Sequence, residues 1–196
     1  MKIELLEQLE RLKQKDTDSR SSLLNKGMLY GVYAQVMQDV HRDNAFALDE
    51  IISIHGWPGI SEVGLEGCRV SWLIAQHSNC TPELQRKFFN YLSEAANIGN
   101  APVKQVAMLT DRIRFNEGKP QIYGTLLDWN EKGEFTCEIE DPQKNNELRE
   151  KVGLPPLEQA TREHQKDVEA EGGKPPENYT AYKKAVLDWA KSVGWQ

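Results

Sequence analysis

The sequence predicts a mainly α-helical (α+β) fold, a helical bundle with a small antiparallel β-hairpin and a C-terminal helix on a linker. Up to about residue 112, apolar residues recur at intervals of three and four, which is the spacing of one helix face. Between residues 121 and 140 the period changes to two, which is typical of strands. After a polar segment, the stretch from Tyr182 to Val193 returns to helical spacing.

Composition bounds the class of protein. A chain of 196 residues can bury one core. The 28% of charged and 39% of hydrophobic residues are typical of a soluble globular protein. The net charge is -6 and the basic residues are scattered, so nucleic acid is not an expected partner. The chain has no apolar run of the ~20 residues that span a bilayer, so no membrane partner is expected.

The expected location is the cytoplasm. The N-terminus is a charged amphipathic pattern rather than a signal peptide. The three cysteines form no CxxC motif, which favours reduced thiols over disulfides or a cysteine zinc site.

Three helices are predicted in the first 56 residues. The first has apolar residues from Ile3 to Leu12 and ends near Lys15, where Asp16-Thr-Asp-Ser supplies a break and capping residues. A second runs from about Leu29 to Arg42. Asn44 caps a third, which closes at Gly56, the residue type favoured just beyond a helix end.

Three more helices follow the turn Trp57-Pro58-Gly59. The first of them, Val63 to Ser78, is very apolar and is expected to be central. The next starts with Thr81 as cap and Pro82 at the first helical position, and it ends between Asn97 and Asn100. The last runs from Pro102 to about Arg112.

The hairpin is predicted from Ile122–Leu127 and from the alternating residues around Phe135–Ile139, with the turn at Asn130–Gly133. A short helix is expected over Asn145–Lys151. The predicted organisation is one mainly helical domain over residues 1–162, a linker over 163–177 and an amphipathic helix over 178–196. That last helix must bury its apolar stripe against the main body or against a partner.

Two histidines are candidate catalytic residues, because each lies at helical spacing from the apolar residues before it. His55 ends the third predicted helix and His77 lies on the central one. The structural alternatives are a histidine that caps carbonyl groups at a helix end and a satisfied core histidine. If the two meet, they form an acid and base pair that works near neutral pH.

The pair Asp111-Arg112 closes the sixth predicted helix. Arg112 either pairs with a carboxylate or the last helix carbonyls, or it binds an anion, since its planar fork fits phosphate and carboxylate. No metal site is predicted. His55, His77 and Asp111 have suitable ligand atoms, but no HxH or HExxH spacing supports a site. No cofactor motif is present either.

The segment Gly118 to Trp129 has polar residues where a half-buried strand would carry apolar ones. Alternation places Gln121, Tyr123 and Thr125 on one face of the predicted strand. Gly124 between them is typical of a bulge, or of a close approach by another backbone or a ligand. The structural alternative is that these side chains only tie the hairpin to helix ends by hydrogen bonds.

Five motifs together resemble the signature of a bacterial family of uncharacterised domains, numbered six-six-two-four. They are HGWPGISEVGLEG, WLIAQHS, LTDRI, GKPQIYGT and LREKVGLPPL, and the resemblance covers about Asp16 to Leu157. The resemblance implies that one pattern contains Gly56, Trp57, Pro58, Gln76, His77, Asp111, Arg112, Gln121, Tyr123, Gly124 and Thr125. Leu126 stands where family members often have glutamine, so a ligand contact by that amide would be absent here.

The function expected from these residues is a polar pocket that binds a small polar or anionic ligand. His55, His77 and Arg112 are its candidate catalytic residues. Its candidate ligand-binding residues are Trp57, Gln76, Asp111, Gln121, Tyr123 and Thr125. Metal-independent acid/base hydrolysis is the expected chemistry. The alternative is an interaction module of the immunity or antitoxin type, which would bind a protein partner through the C-terminal helix, with Trp189 and Trp195 as anchors.

Overall fold

The structure is a computed structural model that describes residues 2–196. In that range it has eight helices and two short strands: α1 (Ile3–Asn25), α2 (Gln35–His55), α3 (Ile60–His77), α4 (Pro82–Asn97), α5 (Val103–Asn116), β1 (Asp128–Trp129), β2 (Phe135–Thr136), α6 (Asn145–Lys151), α7 (Leu157–Ala170) and α8 (Tyr179–Ser192). The strands pair antiparallel. The predicted fold class, mainly helical with a small hairpin, is confirmed.

The chain packs into two compact units. The first unit comprises the chain up to Ser21 and Gln35–Leu109, and the second comprises Ser22–Ala34 and Thr110–Gln196. The division into a domain over residues 1–162 and an appended helix stays a prediction, since compact packing does not by itself define what folds independently.

The core of the first unit lies between its helices. α2, α3 and α4 pack against one another. Their inward stripes supply side chains with almost no exposure, and α1 adds two leucines; these residues are Leu5, Leu9, Leu48, Val70, Ile74, Phe88 and Leu92. The apolar spacing in the sequence therefore identifies these buried residues, but Ile3, Val36 and Phe46, which share the spacing, are exposed.

The predicted bounds of the first three helices are wrong. α1 continues through Asp16 to Asn25. The helix predicted from about Leu29 begins only at Gln35, and it passes Arg42 and Asn44 without interruption as α2. Asp16 and Asn44 are both buried, and the Asn44 Nδ2 donates to the Leu12 carbonyl at 3.0 Å. Tertiary contacts therefore use the polar side chains that locally favour a helix cap.

Other boundaries follow the local signals. α4 begins at Pro82 after Thr81, although the Thr81 side chain makes no capping hydrogen bond. α2 ends at His55, and the next residue, Gly56, has φ +72°. A left-handed residue just beyond a helix end is the position for which glycine is favoured. The short helix predicted over Asn145–Lys151 is α6.

The hairpin is smaller than predicted. Asp128 lies opposite Thr136 and Trp129 opposite Phe135. The predicted strand Ile122–Leu127 is irregular, and before β1 only Gln121 forms a bridge, to Ile139. The alternation of Gln121, Tyr123 and Thr125 along a strand face is therefore wrong.

The first half of the predicted linker is helical, because α7 extends to Ala170. Its residues are mostly strong helix formers, and the buried Val168 anchors it in the second unit. Gly173 then lies so close to Val168 and Tyr30 that a Cβ there would approach their side chains within 3.0 Å. The extended part of the predicted linker is limited to the residues between α7 and α8.

α8 packs its apolar stripe only partly within the second unit, because Ala190 is buried but Tyr182, Val186 and Trp189 are half-buried. Asn178 caps the helix through a hydrogen bond from the Ala181 amide. The Tyr182 hydroxyl donates to Asp128 at 2.6 Å, and burial together with this interaction raises the pKa of Tyr182. Trp195 is only 5% exposed. In this conformation Trp195 is therefore not available as an anchor for a partner.

The thiols are expected to react slowly in the folded protein. Burial raises the pKa of both Cys68 and Cys137 to about 11, and Cys80 is also buried. At pH 8 the thiolate fraction of Cys68 and Cys137 is therefore roughly 100-fold smaller than that of a thiol with an ordinary pKa. Reaction with a chromogenic disulfide should be slow in buffer and fast in urea. A thiol that reacts in native protein as fast as in urea would contradict this packing.

In the part of the chain that the structure describes, none of the helices has the length and apolar character needed to cross a bilayer.

Candidate functional site

Three helices of the first unit bring one carboxylate and two imidazoles together. Asp16 comes from α1, His41 from α2 and His77 from the end of α3. We call this the Asp-His-His cluster. One nitrogen of each imidazole and one oxygen of the carboxylate all lie within 4.8 Å of one another.

Asp16 is the centre of the cluster. Its Oδ2 lies 2.5 Å from Nδ1 of His77 and 3.3 Å from Nε2 of His41. The two imidazole rings are 4.8 Å apart between centroids and tilted by 35°. One carboxylate oxygen therefore lies within ion-pair distance of both imidazoles.

The carboxylate is ionised although it is buried. Burial raises the pKa of Asp16, but the hydrogen bonds and charges of His41 and His77 outweigh this and hold the pKa well below its ordinary value. An ionised carboxylate on Nδ1 favours the histidine tautomer or protonation state with a proton on that nitrogen. The second ring nitrogen is then the one available for chemistry.

His77 reaches solvent, whereas its partners do not. Its side chain is 28% exposed and that of Asp16 is 7% exposed. Its Nε2 has no hydrogen-bond partner among the described residues. This atom is not buried, so it is in contact with solvent. A histidine held at Nδ1 by a carboxylate and open at Nε2 is able to take a proton from water or from a substrate hydroxyl.

Neither Asp16 nor His41 is among the predicted site residues. The signal for both was the apolar stripe of a longer helix. Asp16 follows Leu5 and Leu9 at spacings of 11 and 7 residues, and His41 follows Met37 at 4. A titratable residue on a buried stripe is a candidate site residue. Asp16 was missed because the first helix was predicted to end just before it.

The other predicted residues of the first unit have different surroundings. His55 is exposed, so its expected position on a buried stripe is wrong. Trp57 is 7% exposed in the turn after α2. Gln76 is 5% exposed, its Nε2 is 3.5 Å from the Met108 carbonyl, and its Oε1 has no hydrogen-bond partner among the described residues. Gln76 directly precedes His77 of the cluster in the sequence, and its Oε1 is a buried acceptor.

In the second unit, Asp111 organises the segment that was predicted as a strand. Its Oδ1 accepts from the Ile122 amide at 2.8 Å and from the Tyr123 amide at 3.1 Å. Its Oδ2 accepts from the Thr125 amide at 2.9 Å and from the Thr125 hydroxyl at 3.0 Å. Asp111 has no solvent exposure. The backbone wraps around a buried carboxylate instead of forming a ladder.

Gln121 and Gly124 complete this wrapped segment. The Gln121 side chain donates to the Leu126 carbonyl at 2.7 Å and accepts from the Leu126 amide at 2.9 Å. Gly124 has φ +69°, and a Cβ there would lie 2.7 Å from Ile139 Cδ1 and 3.0 Å from Cys137 Sγ. The close neighbours of this glycine are side chains of its own unit.

Arg149 closes the same segment from α6. Its Nε donates to the Pro155 carbonyl and its Nη1 to the Tyr123 carbonyl, each at 2.6 Å, and Nη1 also donates to Gly124 at 3.1 Å. It is 2% exposed. The site prediction did not include Arg149, although it belongs to the motif LREKVGLPPL.

Arg112 has neither of the structural partners considered for it. Among the described residues, no carboxylate lies within ion-pair distance, and its buried Nε has no hydrogen-bond partner. Burial lowers the pKa of Arg112 to about 10, and Tyr33 opposes this effect. Anion binding by Arg112 stays a prediction.

The predicted site draws on both units. Its members His55, Trp57, Gln76 and His77 belong to the first unit, and Asp111, Arg112, Gln121, Tyr123 and Thr125 to the second. The structure brings Asp111 together with Tyr123 and Thr125. It places His77 with Asp16 and His41 instead. The pocket shared by all nine residues stays a prediction.

A groove of about 630 Å³ lies within the second unit, between α8 and the hairpin region. It is lined by aromatic and apolar side chains, including Trp129, Trp189 and Leu187, and by Lys183 and Asp128. These two charged residues already contact each other at 3.2 Å. Lys119, Glu138 and Lys184 also line the groove, but most of its lining surface is apolar.

Fold and site together define a mainly α-helical protein with a buried carboxylate that holds two histidines. A family model described as "Family of unknown function (DUF6624)" matches residues 11–170, and the chain belongs to that family. A search of curated proteins and a search of solved structures found no match.

Proposed function

We propose that the protein is a hydrolase whose water-activating centre is the Asp-His-His cluster. The observation that carries the proposal is the 2.5 Å contact between Asp16 Oδ2 and His77 Nδ1, with the other nitrogen of His77 open to solvent. The proposal keeps the acid/base hydrolysis expected from the sequence and keeps His77 as its base. Its partners become Asp16 and His41, because His55 is exposed.

The chemistry follows from the proton positions. Asp16 orients the ring and stabilises the imidazolium that forms when His77 Nε2 takes a proton from water. The resulting hydroxide attacks the scissile bond, and the same proton passes to the leaving group. A positioned base of this kind contributes roughly 10²- to 10⁴-fold to a rate.

The proposed substrate is a small polar or anionic molecule, as the sequence motifs suggest. The proposed location is the cytoplasm, supported by three cysteines that are all free thiols.

The test is the activity of His77→Ala and Asp16→Asn against a panel of esters, amides and phosphoesters. Both variants are expected to lose roughly 100-fold or more of the wild-type rate. His55→Ala is the matched control, since it removes an exposed histidine of the same unit, and it should retain the full rate. A wild type without activity on the whole panel, or variants that keep the rate while folded, would contradict the proposal.

A further inference from the structure

We infer that the Asp-His-His cluster binds one divalent transition-metal ion, and that this ion is what activates the water. The inference rests on the proposed function, but it assigns the activation of the water to the ion, with His77 as a ligand, instead of to His77 as the base. The sequence predicts no metal site, because no metal-ligand spacing is present. The three ligands come from three separate helices, so no short spacing in the sequence marks them.

The ligand set suits such an ion. Two imidazole nitrogens and one carboxylate oxygen are a common donor set for catalytic zinc and for non-haem iron, and three protein ligands leave a coordination position for water. Side chains that bind Mg²⁺ or Ca²⁺ are mainly oxygen donors. The two imidazoles therefore favour a transition metal.

The geometry is close to that of a coordination shell. Ligands at ~2.1 Å from a tetrahedral ion lie roughly 3.4 Å from one another. The 3.3 Å between His41 Nε2 and Asp16 Oδ2 already meets this value. The 2.5 Å between His77 Nδ1 and Asp16 Oδ2 must open by about 1 Å. His77 is the most exposed of the three, so a small turn of its side chain makes this room and gives the ion a route inward.

Charge balance favours the same conclusion. Asp16 and His41 are both 7% exposed at the side chain, and both sit in a helical core. A carboxylate removed from water needs a compensating positive charge. A divalent ion supplies this charge and accepts a lone pair from each of the two imidazoles. A proton supplies one charge and binds the lone pair of only one imidazole.

The first experiment measures binding of Zn²⁺, Mn²⁺ and Co²⁺ to chelator-treated protein by isothermal titration calorimetry. The wild type and His55→Ala should bind one ion with similar affinity. His77→Ala and Asp16→Asn should bind at least about 100-fold more weakly, since even the loss of a group that supports a ligand costs 10- to 100-fold. Circular dichroism shows which variants fold. If Asp16→Asn does not fold, the comparison of His77→Ala with the wild type still decides the question.

The outcomes separate this inference from the proposed hydrolysis. Absence of binding by the wild type, or equal binding by His77→Ala, would overturn the metal site. Hydrolysis that survives chelation but is lost in Asp16→Asn would overturn the metal site and leave the hydrolase intact. Binding that depends on His77, in a protein without hydrolytic activity, would support the metal site and overturn the hydrolase.

Discussion

Replacement of Asp111 by alanine is expected to lower the free energy of unfolding by about 4 kcal/mol. The carboxylate accepts three backbone amides and one hydroxyl in a site without solvent exposure. Its removal leaves these donors without a partner, and a buried donor left unsatisfied costs about 1–3 kcal/mol. Urea denaturation followed by circular dichroism measures the loss.

Asp111→Asn is the informative companion. An amide keeps the size of the side chain but loses the charge and one acceptor, so its cost should be smaller than that of alanine. Glu131→Ala is the control, since that carboxylate is exposed in the turn between β1 and β2 and has no hydrogen bond or ion pair among the described residues, and its unfolding midpoint should match the wild type. If Asp111→Ala unfolds at the wild-type midpoint, the carboxylate does not organise residues 122–125.

Replacement of Arg149 by methionine is expected to cost about 3 kcal/mol. Methionine keeps much of the apolar stem but leaves the carbonyls of Tyr123, Gly124 and Pro155 without their donor. Burial lowers the pKa of Arg149, while Cys137 and Asp111 act in the opposite direction. The hydrogen bonds to three carbonyls offset the cost of burying this cation.

Arg149→Lys separates charge from geometry. A lysine keeps the charge but lacks the planar fork that reaches several carbonyls, so most of the loss should remain. Arg162→Met removes an exposed arginine of α7 and should leave the urea midpoint unchanged. Full stability of Arg149→Lys would mean that charge alone is required at this position.

The sequence predicts the helices well where local signals and packing agree. α4 starts at the predicted proline, and α6 has the predicted bounds. The errors lie where polar residues have tertiary roles. Asp16 and Asn44 have the chemistry of helix caps, yet both are held inside the first unit by residues distant in sequence. A local pattern does not contain those contacts.

Contacts between residues distant in sequence also explain why only part of the candidate site was predicted. His77 was identified because it ends an apolar stripe, and it does contact a titratable partner. The partner itself, Asp16, lies 61 residues away. The alternating pattern around Tyr123 predicts a strand, but the Asp111 carboxylate captures the backbone amides that a strand would use. Such capture is decided by the fold and not by periodicity.

The central claim is that Asp16, His41 and His77 form one functional centre, and X-ray absorption at the zinc K-edge tests it most directly. Protein loaded with one equivalent of Zn²⁺ should show nitrogen and oxygen neighbours at ~2.0–2.1 Å, with the multiple scattering of two imidazoles. In His77→Ala the signal of one imidazole should be lost. Sulfur neighbours at ~2.3 Å, or an unchanged spectrum in His77→Ala, would contradict the account.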